Sequence, residues 1–453
     1  MKFSIRRIDL FERDVRLRMP FRFGIVTLTE SPQAFARARI RLENGAAAEG
    51  AAAELLAPKW FDKDPALSNE QNFEQLRLSL ALAREAYLAG GANSAFGHFS
   101  SHHQPQIERG AARRLNPLVA NYGPALIDRA LLDALCRALG VSFYDAIRRN
   151  VAGLDLPASF LQSLSPRARI AARHTVGLVD PITAADIRER VNDGLPETLE
   201  EVVARYGHRW FKLKVAGDAK ADVERLSAIA SVLDRIGEPY HASLDGNEQY
   251  GDVEGVLELW RRMNDERRLR RLVQSIVFIE QPIKRQNALA ADVSALSKEK
   301  PVIIDESDDL LDAFVRARAL GYRGVSSKTC KGIYRSLINA ARCAEWGPKY
   351  FMSGEDLTIQ AGLALQQDLA LVSLLGLTHV ERNGHHYVNG MADLPAHEQD
   401  EFLEKHQDLY ERSHGAVRVR IREGNLAIGS LDCPGYASAA MPSWAQMREM
   451  KIK

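Results

Sequence analysis

Lys212 and Lys214 stand one residue apart in Trp-Phe-Lys-Leu-Lys-Val, at the end of a short apolar run. The next three runs of that kind end in acids, Asp245, Glu280 and Asp305, and a further run ends in Lys328. Three carboxylates converging in a confined space repel one another unless a cation joins them. A hard divalent ion takes about six oxygen ligands, so this set leaves about three positions for a substrate carboxylate and water. Mg2+ suits those donors, and Mn2+ would take the same set. Both side chains of a Lys-x-Lys pair on a strand point to one side, and two crowded ammonium groups near a metal disfavour each other's charged form. A lysine starts near pKa ~10.4 and must sit roughly two to three units lower to act as a base at neutral pH. Lys214 is the expected base, Lys212 the group that polarises a substrate carboxylate. Lys328 is expected to address the opposite face of a planar intermediate.

Such side chains need elements that bring them to one place. From about Arg173 the sequence repeats a β-rich run, a polar or glycine break and an amphipathic helix. Candidate strands are 174–177, 210–215, 241–245, 275–280, 302–305, 324–328, 350–353 and 379–381. The helix after the second carries Val223, Leu226, Ile229, Ala230, Leu233 and Ile236 on one face, with Asp218 or Asp222 as N-cap. The helix after the fifth carries Leu310, Leu311, Phe314, Val315 and Ala317. Eight alternating units predict parallel pairing through right-handed crossovers, closed as an α/β fold of the (β/α)8 type, a TIM-like barrel. An open doubly wound sheet competes, but no Gly-x-Gly-x-x-Gly follows the first strand. Lys214, Asp245, Glu280, Asp305 and Lys328 are separated by 31, 35, 25 and 23 residues, about one βα unit each. All therefore fall at the C-terminal rim, where barrels carry their active sites.

The expected organisation is an N-terminal α+β capping domain over 1–170, the barrel over 171–390, and a segment over 391–453 that returns to the cap. Extended segments near 3–17 and 33–52 precede helices near 74–89 and 124–139. The stretch 90–106, rich in Gly, Ser, Asn and His, reads as an exposed loop, as do the histidines His98, His102, His103, His385 and His386. The apolar stretch 369–377 reads as part of a buried helix.

Sixty basic and 59 acidic residues leave a net charge of +1. That balance gives no support for nucleic acid or a membrane surface as partner. The N-terminus lacks a signal-like apolar stretch, and no apolar run approaches the ~20 residues that span a bilayer. Four cysteines without metal-type spacing suit reduced thiols in a cytoplasm.

The ordered set resembles the enolase superfamily, in its muconate-lactonizing branch (the mandelate racemase/muconate lactonizing enzyme family). The matching residues are Lys212-Leu-Lys214, Leu244-Asp245-Gly-Asn247, Ile279-Glu280-Gln-Pro282, Ile304-Asp305-Glu306-Ser307 and Lys328. Met19-Pro-Phe-Arg-Phe-Gly24 and Glu49-Gly-Ala-Ala-Ala-Glu54 are similar to the family's capping domain, and 123–144 to the helix leading into the barrel. The chain is longer than typical members, near 60–112 and 160–205. The resemblance implies that Asp245, Glu280 and Asp305 hold Mg2+ while Lys214 and Lys328 flank the α-carbon of a carboxylate. The shared step is loss of the α-proton to give a metal-stabilised enolate. Where the mandelate-racemase branch carries a seventh-strand His, this chain has Met352-Ser-Gly-Glu355, so Glu355 is an expected neighbour of the site. Where dipeptide epimerases carry Asp-x-Asp, it has Glu381-Arg382-Asn383. Arg382, turned inward, would suit an anionic or acylated substrate; Asn247, Glu306, Glu355, Glu381 and Arg382 form the expected outer set.

Two opposed lysines favour a racemase or epimerase acting on a small-molecule carboxylate. Cycloisomerisation and an o-succinylbenzoate-synthase-like elimination use the same pair and stay open. More distant readings are a metal-free lyase with Lys328 as Schiff-base nucleophile and a non-catalytic binding barrel. Assembly as a homo-oligomer is a general prior for barrels of this size.

Overall fold

The computed structural model describes residues 1–452. Three long strands, β1 (Phe3–Phe23), β2 (Val26–Leu42) and β3 (Ala47–Leu55), form an antiparallel meander at the N-terminus. The expected extended segment 33–52 is thus two strands joined by a short turn. Gly50 lets β3 lie directly on the helix Tyr122–Leu139: a Cβ there would stand 2.1 Å from the backbone nitrogen of Ala134. Two further helices, Asn69–Ala89 and Ala95–Ala111, pack beside it within the segment 60–112.

The second of these replaces the loop expected over 90–106. Ser94 caps it by accepting from the Gly97 amide, and Ala95, His98, Phe99, His103, Gln106 and Gly110 line its buried side. Their spacing is helical, but two of the six are histidines buried in the cap.

Eight parallel strands follow: β4 (Arg169–Val176), β5 (Trp210–Lys214), β6 (His241–Asp245), β7 (Ile276–Glu280), β8 (Val302–Ile304), β9 (Gly324–Ser327), β10 (Phe351–Gly354) and β11 (His379–Arg382). β11 pairs with β4, which closes the barrel. Asp218, rather than Asp222, caps the helix Ala219–Leu233; Asp222 instead accepts from the amides of Ala216 and Gly217. Val315 faces water and not the core, since the helix it belongs to begins only at Ala313. The helix Leu363–Leu374 is buried on every side. No helix among the described residues is long and apolar enough to cross a membrane.

The C-terminal residues Arg448–Glu449 pair with β1 at Phe11 and Glu12, so the chain's end adds an edge to the cap sheet. Asn425–Ala427 instead pairs with β4, on the barrel.

Candidate active site

Alternation along each barrel strand sends every second side chain inward. On β5, Phe211 and Leu213 pack outward into the helical layer, and Trp210, Lys212 and Lys214 face the interior. At the floor the Trp210 ring stacks 3.8 Å from that of His379. Above it Arg173 from β4 is fully buried, bonded to Ser353 at 2.9 Å and to Glu355. Arg173 lay one residue outside the strand expected from sequence; the alternation of Arg173 with Thr175, both inward, is the signal that marks it.

Lys212 is the hub. Its Nζ lies 2.8 Å from Asp245, Glu280 and Glu355 and 2.9 Å from Glu381. Lys214 bonds Asp245 at 2.5 Å. Lys328 bonds Asp305 at 2.6 Å, and Asp305 also takes bonds from Ser326 and lies 3.4 Å from Lys331. The pairing follows from register: Lys214 sits opposite Asp245, and Asp245 opposite Glu280.

These contacts reverse the expected effect of lysine crowding. Burial disfavours the Lys212 ammonium, but Asp245, Glu280, Glu355 and Glu381 outweigh it and hold its pKa well above the ordinary lysine range. Burial also opposes charge on Lys328, and Asp305 again raises it. Among the acids, burial would push Asp245 up, and Lys212 and Lys214 pull it below its usual value. Glu280 goes the other way: burial, then the charges of Asp245 and Glu355, lift it well above the carboxylate range. Four ionised carboxylates around Lys212 would face three cations, Lys212, Lys214 and Arg173, with one negative charge in excess, and Glu280 is the acid that burial and its neighbours keep protonated.

Asp245, Glu280 and Asp305 stand at the ends of adjacent strands but are not drawn into one tight cluster. Among the described residues the only His, Cys, Asp or Glu group with ligand atoms mutually within 4.8 Å is His174, His208 and His385. Ammonium groups stand between the barrel acids instead. The set nevertheless fits a hard cation. Its donors are all oxygen, it would carry one surplus negative charge with Glu280 ionised, and Glu280 Oε2 accepts no hydrogen bond although Lys212 lies beside it.

The outer residues divide. Asn247 donates its amide to Asp245 at 2.8 Å, and Glu306 meets Asn247 at 3.4 Å and Lys63 at 3.2 Å. Glu381 bonds Thr175 and Lys212. Arg382 turns away from the barrel interior to Asp368 at 2.7 Å, so it does not present its charge to a substrate.

Above the acids lies a cavity lined by Lys214, Lys328, Asn247, Asp356, Glu381 and Asn383 below. Phe21, Phe23, Leu28, Ala57 and Trp60 of the cap cover it from above, with Leu357 and Thr358 beside them. Phe21 and Phe23 come from the β1–β2 hairpin, whose turn at Gly24 abuts Gln249. Trp60 lies over the Lys328 ammonium, 4.3 Å from ring centre to Nζ. The segment carrying Trp60 is tied down by Arg285, which donates to the carbonyls of Trp60 and Phe61, and by Lys63, which bonds Glu248 at 2.6 Å. These cap residues were not recognised from sequence.

A family model described as enolase C-terminal domain-like matches residues 194–432, more than half of the chain. The chain belongs to the enolase superfamily. Three solved structures share its architecture over nearly their whole lengths. A muconate lactonizing enzyme from Mucobacterium smegmatis, complexed with muconolactone, aligns with TM-score 0.64 at 16% identity, covering 99% of this chain and 100% of that one. Another from Pseudomonas fluorescens gives 0.60 at 20% identity, with 97% of each chain covered. A dipeptide epimerase from Enterococcus faecalis V583, complexed with Mg and a dipeptide, gives 0.63 at 14%, covering 96% and 99%. No curated protein matches the chain by sequence. The chain is an enzyme of this superfamily, built for an enolase-type reaction.

Proposed function

We propose that this enzyme removes the proton α to a carboxylate in a Mg2+-dependent reaction and returns a proton to the resulting enolate, as a racemase or epimerase. The observation that carries the reading is that Lys214 and Lys328 line one cavity above Asp245, Glu280 and Asp305. A dication held by those three acids would neutralise the substrate carboxylate and the second negative charge that grows on it as the α-proton leaves. Lys214 is the base on one face. A cation engaging Asp245 would take up the carboxylate that Lys214 now bonds at 2.5 Å and free its amine for the substrate. Lys328 faces the other side and supplies the returning proton. Lys212 holds Glu280, Glu355 and Glu381 in place. The aromatic and aliphatic roof suits an acid whose substituent is apolar or acylated.

The test is incubation with a library of carboxylic acids in D2O with Mg2+, scored by mass and by chiral chromatography. Deuterium at the α-carbon with loss of optical purity is expected. Lys214→Ala should abolish exchange from one enantiomer and Lys328→Ala from the other. A product one ring closure or one water away from substrate would show cycloisomerisation or elimination. Exchange that is indifferent to both lysines, or to EDTA, would overturn the proposal.

A further inference from the structure

Outside the barrel mouth three imidazoles meet. His174 projects from the outer face of β4, opposite the inward Arg173 and Thr175. His208 lies two residues before β5, and His385 lies in the short helix Gly384–Tyr387 after β11. Their ring centres are 5.3, 5.4 and 5.4 Å apart, close to an equilateral triangle. A Zn–N bond of about 2.0–2.1 Å puts an imidazole centre about 3.2 Å from the ion, so two such rings on a tetrahedral ion stand about 5.2 Å apart. The observed spacing meets that requirement, and ligand nitrogens of all three rings lie within 4.8 Å of one another.

Unused nitrogens point the same way. Among the described residues Nδ1 of His174, Nε2 of His208 and both nitrogens of His385 take no hydrogen bond of normal geometry, although all are buried atoms. Buried polar groups left without partners are costly and uncommon. His208 is also fixed in tautomer: Nδ1 donates to the Ala172 carbonyl at 2.9 Å, which leaves the Nε2 lone pair free. A carbonyl on the far nitrogen is the arrangement that orients a metal-binding imidazole. Burial keeps the rings neutral at neutral pH, His208 down to about 4.

We propose that His174, His208 and His385 form a second metal site, for a borderline transition ion such as Zn2+, with a fourth position open to water. No carboxylate belongs to the cluster. The nearest charges are cationic, and they are bonded elsewhere: Arg382 to Asp368 and Arg18 to Asp193. Affinity must therefore come from imidazole lone pairs, which select Zn2+, Ni2+ or Cu2+ and reject Mg2+. His385 also lines a separate small pocket with Tyr206, Gly384 and Arg418. The ion would pin the loop after Glu381 to the barrel's outer wall. That loop is already anchored by Gly384, where a Cβ would fall 1.9 Å from the Ile359 carbonyl oxygen.

The test is titration of the full-length protein with Co2+ in excess Mg2+, so that the oxygen site is occupied. One equivalent should give the visible d–d bands of a four- or five-coordinate ion. The bands should persist in Asp245→Asn/Glu280→Gln and vanish in His208→Ala and in His385→Gln. The second variant alters a half-buried residue, and circular dichroism checks its fold. Zn2+ should displace Co2+ and raise the thermal midpoint of wild type but not of His385→Gln. Absence of visible bands in wild type, bands retained in both histidine variants, or bands lost in the barrel variant would each overturn the proposal.

Discussion

Replacing Lys212 by Met removes one charge from the middle of four acids while keeping nearly the same length. At an effective dielectric of ~20 each contact at 2.8–2.9 Å gives about 6 kcal/mol of attraction, roughly 24 in all. Oxygens arranged around one nitrogen at that distance lie about 4.6 Å apart, so their six mutual repulsions cost about 3.6 kcal/mol each, roughly 22 in all. Attraction and repulsion nearly cancel with lysine present, and the repulsion stands alone without it. The protein escapes that cost by protonating its acids. Charging a carboxyl of pKa ~4.3 with a proton at pH 7 costs about 3.7 kcal/mol. Protonating Glu280 and Glu381 leaves Asp245 paired with Lys214 and Glu355 with Arg173, so two protons cap the loss at about 7 kcal/mol. Urea unfolding in EDTA at pH 7, followed by tryptophan fluorescence, should show Lys212→Met destabilised by that amount, and by less at pH 5.5. Saturating Mg2+ should stabilise the variant more than wild type, because a dication replaces the lost charge at the same acids. A variant within 1 kcal/mol of wild type in EDTA would refute the reasoning. So would an equal Mg2+ effect on both proteins.

Three other outcomes follow from features away from the acids. Arg129 is fully buried and bonds Glu54 at 3.0 Å, and the same Glu54 oxygen accepts from Thr329, beside Lys328; Arg129→Met should cost about 3–5 kcal/mol by leaving that carboxylate unpaired, and adding Glu54→Gln should recover most of it in a double-mutant cycle. Gly50→Ala should cost about 1–3 kcal/mol or more, because its Cβ would meet backbone atoms of the helix Tyr122–Leu139; Gly91→Ala, with open space around it, should stay within about 0.5 kcal/mol in the same thermal assay. His406 is buried, its Nε2 accepts the Ala439 amide at 3.1 Å, and burial lowers its pKa from 6.5 to about 4. Its contribution is present above pH 6.5 and lost as pH falls toward 4, so it should account for about 2 kcal/mol of the decline between pH 7 and pH 5. In His406→Gln that part of the slope should be missing from urea unfolding at the two pH values.

The barrel was readable because each inner strand carries its own punctuation. Apolar runs end in a polar residue at the rim, and His241–Asp245 coincides with its expected strand while the others differ by one residue, except for β4, which starts five residues early. The helix Ala95–Ala111 was unreadable for a physical reason: His98 and His103 occupy core positions, so a hydrophobic period that treats His as polar breaks there, and Pro105 and Gly97 add helix-breaking signals. The ionisation of Lys212 was equally hidden. Lys214 beside it suggests repulsion, but Glu355 and Glu381 arrive from strands 143 and 169 residues away and decide the sign. Nor does any local pattern distinguish Phe21, Phe23 and Trp60, which cover the cavity, from the many aromatic residues that fill the cap.

The roof over the cavity comes from the first sixty residues apart from Leu357 and Thr358, and the lysines proposed to handle protons come from positions 212 to 328. Under the proposed function, substrate choice and bond chemistry are encoded in separate stretches of one gene. Recombination or drift within the leading stretch can alter which acids are admitted without touching the reactive machinery, so a chimaera bearing another member's N-terminal meander should inherit that member's preferences.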